Sequence, residues 1–158
     1  MRKFCWMLLA ILLLLGGCKG NEAVGKSETL MGVERVQSVL GGKERFVVAD
    51  EAFVEGNFDV DSLAFHTVLF ESDGSYGELG VFSAKEGKAA ALEVAVRAYL
   101  AREAEAIRTL ASLYPADELE VRLSCYEKAI VGREGELVYY FALPYEQAQR
   151  AFSAFFAK

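Results

Sequence analysis

The side chains here with the types to do chemistry are three cysteines, one histidine and a short acidic alternation. Cys125 and His66 are the thiol and imidazole that remain once an N-terminal targeting segment is set aside. A Cys–His pair is the minimal set for nucleophilic catalysis. Both fall in segments that read as strands, among apolar neighbours. No Asn or Asp stands at a spacing that marks it as an orienting partner, and free cysteine is among the most buried residue types. Core packing is therefore expected, and no catalytic residue is assigned. Asn57, Asp59 and Asp61 alternate like the start of a calcium loop, which wants Gly at its sixth place and Glu at its twelfth. Ser62 and Val68 stand there instead. A solvated acidic turn is expected, with no metal or cofactor site. The sequence carries no glycine-rich phosphate loop, zinc-spaced Cys/His set, nucleophile elbow or nicotinamide fingerprint. Tyr76, Tyr126, Tyr139 and Tyr145 would form a recognition surface if they clustered on an open sheet face.

The third kind of chemistry is covalent attachment. Arg2 and Lys3 precede an apolar run from Phe4 to Leu15. A membrane-spanning helix needs roughly 20 apolar residues. A positive start, a short apolar core and small residues before a cut describe a secretory signal. Leu15-Gly16-Gly17-Cys18 resembles the lipobox of bacterial lipoproteins. That resemblance implies a signal peptide over 1–17, a diacylglyceryl group on Cys18, and Cys18 as the new N-terminus. Two acyl chains anchor stably where one is marginal. Membrane lipid, reached through acylated Cys18, is thus an expected partner, with the domain on the extracytoplasmic face of the cell membrane.

Removing 17 of the 158 residues leaves 141, which suits one domain. Such a chain buries roughly 68–70% of its unfolded surface, enough for a core. Without Arg2 and Lys3, the 17 basic residues fall to 15 against 23 acids, a net charge of −8. That surface repels phosphate backbones, so no nucleic-acid partner is expected. Cys125 alone cannot form an intrachain disulfide.

The elements that would hold these residues follow from pattern. Residues 18–29 are polar and small and read as a flexible tether. Leu30, Val33, Val36 and Leu40 suggest a short amphipathic helix, capped by Ser27 or Thr29 and ended by Gly41-Gly42. Phe46 to Ala49 reads as a short strand and Asp50 to Phe58 as a helical turn, both weakly specified. Segments 65–71 and 79–84 are β-branched and aromatic, separated by turn chemistry, and read as a hairpin. Lys88 to Leu113 has neither Gly nor Pro and reads as a long helix, stopped before Pro115. A shorter helix over 118–123 follows. A second hairpin is expected from "CYEKAIV" and "ELVYYFA" around "GREG", and a last helix after Pro144.

The stretch from about Phe58 to Phe156 resembles a family of small bacterial lipoproteins described as domain of unknown function 4358. The marks are "GELGVFSAK" (77–85), Arg102 in the long helix, Tyr114-Pro115, the hairpin around Gly135 to Tyr139, and Ala148 to Phe152 in the closing helix. The resemblance implies a lipid anchor and one α+β domain, and brings no catalytic residue with it.

The expected architecture is a single α+β domain over 30–158. Two hairpins form an antiparallel four-stranded sheet, with the long helix and the C-terminal helix packed on one face. The expected function is a membrane-anchored cell-envelope lipoprotein, a non-enzymatic module that binds an envelope protein or component. The alternative is a small-ligand or metal-sensing extracytoplasmic domain. A domain of this size offers little room for the cleft such a ligand needs, and a pocket above ~300 Å³ with polar residues would favour that alternative.

Overall fold

The structure is a computed structural model that describes residues 19–72 and 77–157. The signal segment, Cys18 and Tyr76 lie outside the described residues.

Five strands form one antiparallel sheet in the order β1-β2-β3-β5-β4. They are β1 (Phe46–Val48), β2 (Leu63–Glu71), β3 (Glu78–Ala84), β4 (Ile130–Glu134) and β5 (Leu137–Ala142). The two expected hairpins, β2–β3 and β4–β5, meet along β3 and β5. The sheet has five strands rather than four, because β1 adds to the end of β2, with Phe46 opposite Glu71.

Helices cover both faces, which corrects the expected single layer. One face carries α2 (Glu51–Asn57), α3 (Ala89–Leu113) and α4 (Asp117–Glu127). Val54, Leu92, Val96 and Ile107 pack there on Val68, Phe82, Val138 and Tyr140. The other face carries α1 (Lys19–Val39) and α5 (Tyr145–Phe155). Val33, Val36, Ala148 and Phe155 close there over Leu69, Leu79, Val81 and Phe141. The physical reason lies in the strands. "LGVF" in β3 and "LVYYFA" in β5 are apolar at consecutive positions, so side chains on both sides of the sheet must leave water.

Helix α1 replaces the expected tether from Lys19 onward. Thr29, Val33, Val36 and, just past its end, Leu40 are buried, a helical stripe. Residues 25–28 are helical but exposed. Thr29 does not cap the helix start; its hydroxyl donates to the Gly25 carbonyl inside the helix. Gly41 and Gly42, both at φ +112°, end it in a conformation that side chains rarely adopt. α1 runs antiparallel to α5. Arg35 donates to the Ala154 and Phe155 carbonyls at 3.0 and 2.8 Å, placing a cation on the C-terminal end of α5.

The stripe of α3 is buried from Ala89 to Ile107, after which Leu110 and Leu113 emerge where the helix overruns the sheet. α4 runs on to Glu127, so Cys125 sits on a helix, not on the expected strand. Asp117, Glu118 and Glu120 in its first turn complement the positive end of the helix dipole.

Candidate functional site

The sequence reading missed a buried polar cluster. Glu78 opens β3 and turns its carboxyl toward the α3–α4 layer, only 3% exposed. Its Oε2 accepts from Tyr99 of α3 at 3.0 Å and from Tyr126 of α4 at 2.8 Å. Tyr140 of β5, fully buried, is close enough to act on the same carboxyl, yet neither its hydroxyl nor Glu78 Oε1 has a partner at hydrogen-bonding geometry. Burial raises the Glu78 carboxyl above the usual carboxylate range. The phenol donors oppose that shift, and the charge of Glu103 adds to it. Burial and Glu78 together push the hydroxyls of Tyr99, Tyr126 and Tyr140 up as well. The result is a core network in which burial favours the protonated form of the carboxyl and of all three phenols. It has no base to offer a substrate, and its carboxyl is closed to water. Gly80, two residues along β3 and opposite Tyr140, has no room for a side chain, because the Tyr140 ring and Phe82 fill that space.

The residues singled out from the sequence do not converge. Cys125 is buried, and burial pushes its thiol up to about 11, with the Glu71 charge adding to the shift. A thiol held there is protonated at neutral pH and is a poor nucleophile. His66 lies on β2, with Nε2 3.4 Å from the Glu51 carboxylate of α2. No hydrogen bond or ion pair joins it to Cys125 among the described residues. Asn57 closes α2 and accepts from Arg102. The Asp59 carboxylate accepts from the Asp61 amide at 3.2 Å and the Ser62 hydroxyl at 2.6 Å, capping a short 3-10 turn. Among the described residues no group of three His, Cys, Asp or Glu is placed to hold a metal. Nor is there an open sheet face for the tyrosines. Tyr126 is buried under α4, Tyr139 packs on Phe156 below α5, and Tyr145 stands alone in solvent.

What the sequence did not announce is a cleft of about 980 Å³ at one end of the sheet. Segments from across the chain build it. α1 forms one wall with Glu28, Met31 and Arg35, and the end of α5 forms another with Phe155 and Phe156. Ala64 and Ser83 come from β2 and β3, and the β4–β5 hairpin supplies Glu134, Glu136 and Leu137. Its size lies at the upper end of small-molecule sites, which span roughly 300–1,000 Å³. The expectation that a domain of this length leaves no room for such a cleft is therefore corrected. The room lies between the α1–α5 pair and the ends of the strands. A smaller groove of about 510 Å³ runs between α3, α4 and β4. Two of its basic residues, Arg97 and Arg108, are already paired with Glu93 and with Glu105 and Glu127.

No described helix is long and apolar enough to cross a membrane. Comparison with protein-family models, with curated proteins and with solved structures yields no match to this chain, so no family is assigned to it and the likeness to the lipoprotein family of unknown function gains no support from them.

Proposed function

We propose that this protein is a lipid-anchored binding module of the bacterial cell envelope, held by acylated Cys18 and taking a small ligand in the cleft between α1, α5 and the sheet rim. The cleft is the observation that carries the reading, since it favours the small-ligand alternative over a flat protein-docking face. The lipobox-like Leu15-Gly16-Gly17-Cys18 supports the anchor. Helix α1 is described from Lys19, the residue that follows this cysteine in the sequence. At 1.5 Å per residue, Gly25 on the cleft wall stands only about 9 Å along the helix from Lys19. The cleft of an anchored molecule would therefore open close to the membrane surface. No candidate residue in it has the activated pairing that catalysis needs, so binding rather than turnover is the reading.

Two measurements test the two halves separately. Radiolabelled palmitate enters the wild-type protein in its bacterial host and does not enter Cys18→Ser; equal labelling refutes the anchor. Native mass spectrometry of the membrane-extracted protein detects a co-purifying small molecule, which is lost from Ala64→Trp, a substitution that fills the cleft from an exposed strand position. A ligand retained by that variant, or none in the wild type, refutes the site.

A further inference from the structure

We propose that the cleft selects a ligand in which an ammonium or guanidinium group is joined to an apolar body. The inference rests on the cleft being the binding site and concerns which chemistry fits it. Four carboxylates, Glu28, Glu86, Glu134 and Glu136, converge on the cleft from α1, the loop before α3, the end of β4 and the β4–β5 turn. All four are exposed. None of them forms an ion pair among the described residues. Glu136 accepts a hydrogen bond from the Gly87 amide at 3.2 Å through one of its two oxygens.

Two cations also line the cleft, and both are turned onto backbone carbonyls. Arg35 is spent on the end of α5. Lys85 donates to the Asp61 carbonyl at 2.6 Å. Each cation is thus partly engaged by backbone oxygens, and the lining sets four carboxylates against two cations. A phosphate or carboxylate entering here meets a lining with an excess of acids, in a chain whose net charge is already −6.

The interior of the cleft is of a different character. Met31, Leu137, Phe155 and Phe156 line it, with the two phenylalanine rings edge to face at 4.9 Å. Aromatic faces attract cations as well as apolar groups. The chain itself shows this nearby, where Lys26 places its ammonium 4.9 Å from the centroid of Phe65. An apolar body against the rings with a cation at the acidic rim satisfies both parts of the lining at once. Charge sets orientation and partner choice in such a site, and the apolar wall supplies most of the affinity.

The test uses three probes of one shape: the N-acetylated dipeptide amides Phe-Arg, Phe-Gln and Phe-Glu. Each is titrated by calorimetry and by amide chemical shifts into the full chain held in zwitterionic nanodiscs. The arginine probe is expected to bind best, with shifts at Ser83, Leu137 and Phe155. Its affinity falls about two- to five-fold in Glu28→Gln and again in Glu134→Gln, and falls with added salt. If the neutral or acidic probe binds the same residues as tightly, the cationic selectivity is refuted while the cleft stands as a site. If no probe moves those three residues, the site and the selectivity both fall.

Discussion

Replacing Glu78 with glutamine tests whether the carboxyl in the core is a neutral acid. Glutamine keeps a carbonyl oxygen to accept from Tyr99 and Tyr126, at 3.0 and 2.8 Å in the wild type. Its amide adds a donor within reach of the unpartnered Tyr140 hydroxyl. Glu78→Gln should therefore fold, and at low pH its stability should match the wild type within about 1 kcal/mol. The two proteins should separate as pH rises. The carboxyl titrates near 4.5 in the unfolded chain and higher in the folded one. The unfolded chain then releases a proton that the folded chain keeps. The stability contributed by the neutral acid is fully present below about pH 4.5 and is lost as pH rises through the folded value, at about 1.4 kcal/mol per pH unit. Glutamine has no proton to release, so its curve lacks that slope. Glu78→Ala leaves two buried phenols without an acceptor, at about 1–3 kcal/mol each, and opens a cavity besides. Urea unfolding followed by far-ultraviolet circular dichroism from about pH 4 to about pH 8 reads all three. A wild-type stability that runs parallel to that of Glu78→Gln across this range would show that the carboxyl is not held neutral, and the reasoning would fail.

Two further outcomes follow from the packing. Cys125, with its thiol pushed up to about 11 and its side chain buried, should react with iodoacetamide only through unfolding; labelling in native buffer as fast as that of a free thiol would overturn its placement. Gly80→Ala should cost about 1–3 kcal/mol, since its methyl group meets the Tyr140 ring and Phe82 in a filled core, and a stability within error of the wild type would contradict that contact.

The legible part of this chain is the part governed by local periodicity. The hairpins show as β-branched and aromatic runs separated by turn residues. Helix α3 shows as twenty-five residues, Ala89–Leu113, without glycine or proline, ended by a proline two positions on. Cys125 was misplaced because "CYEKAIV" reads as a strand by composition, whereas the acids at 117–120 start a helix that runs through it to Glu127. The second helical layer has a signal in the sequence: β3 and β5 do not alternate, and strands apolar on both sides need cover on both sides.

Neither candidate site was legible in that way. The Glu78 cluster joins residues 21 and 48 positions apart and reaches Tyr140 across the pairing of β3 with β5. The cleft draws its acids from positions 28, 86, 134 and 136 and its rings from positions 155 and 156. Local sequence fixes which residues form a helix or a strand, because dihedral preference and side-chain period act over a few neighbours. Which distant elements meet is set by the burial of whole faces at once. So the sequence by itself determined the elements and the lipobox-like pattern at Cys18. Only the tertiary structure decided that one carboxyl would be sealed among three phenols while four others would ring an open, phenylalanine-lined cleft.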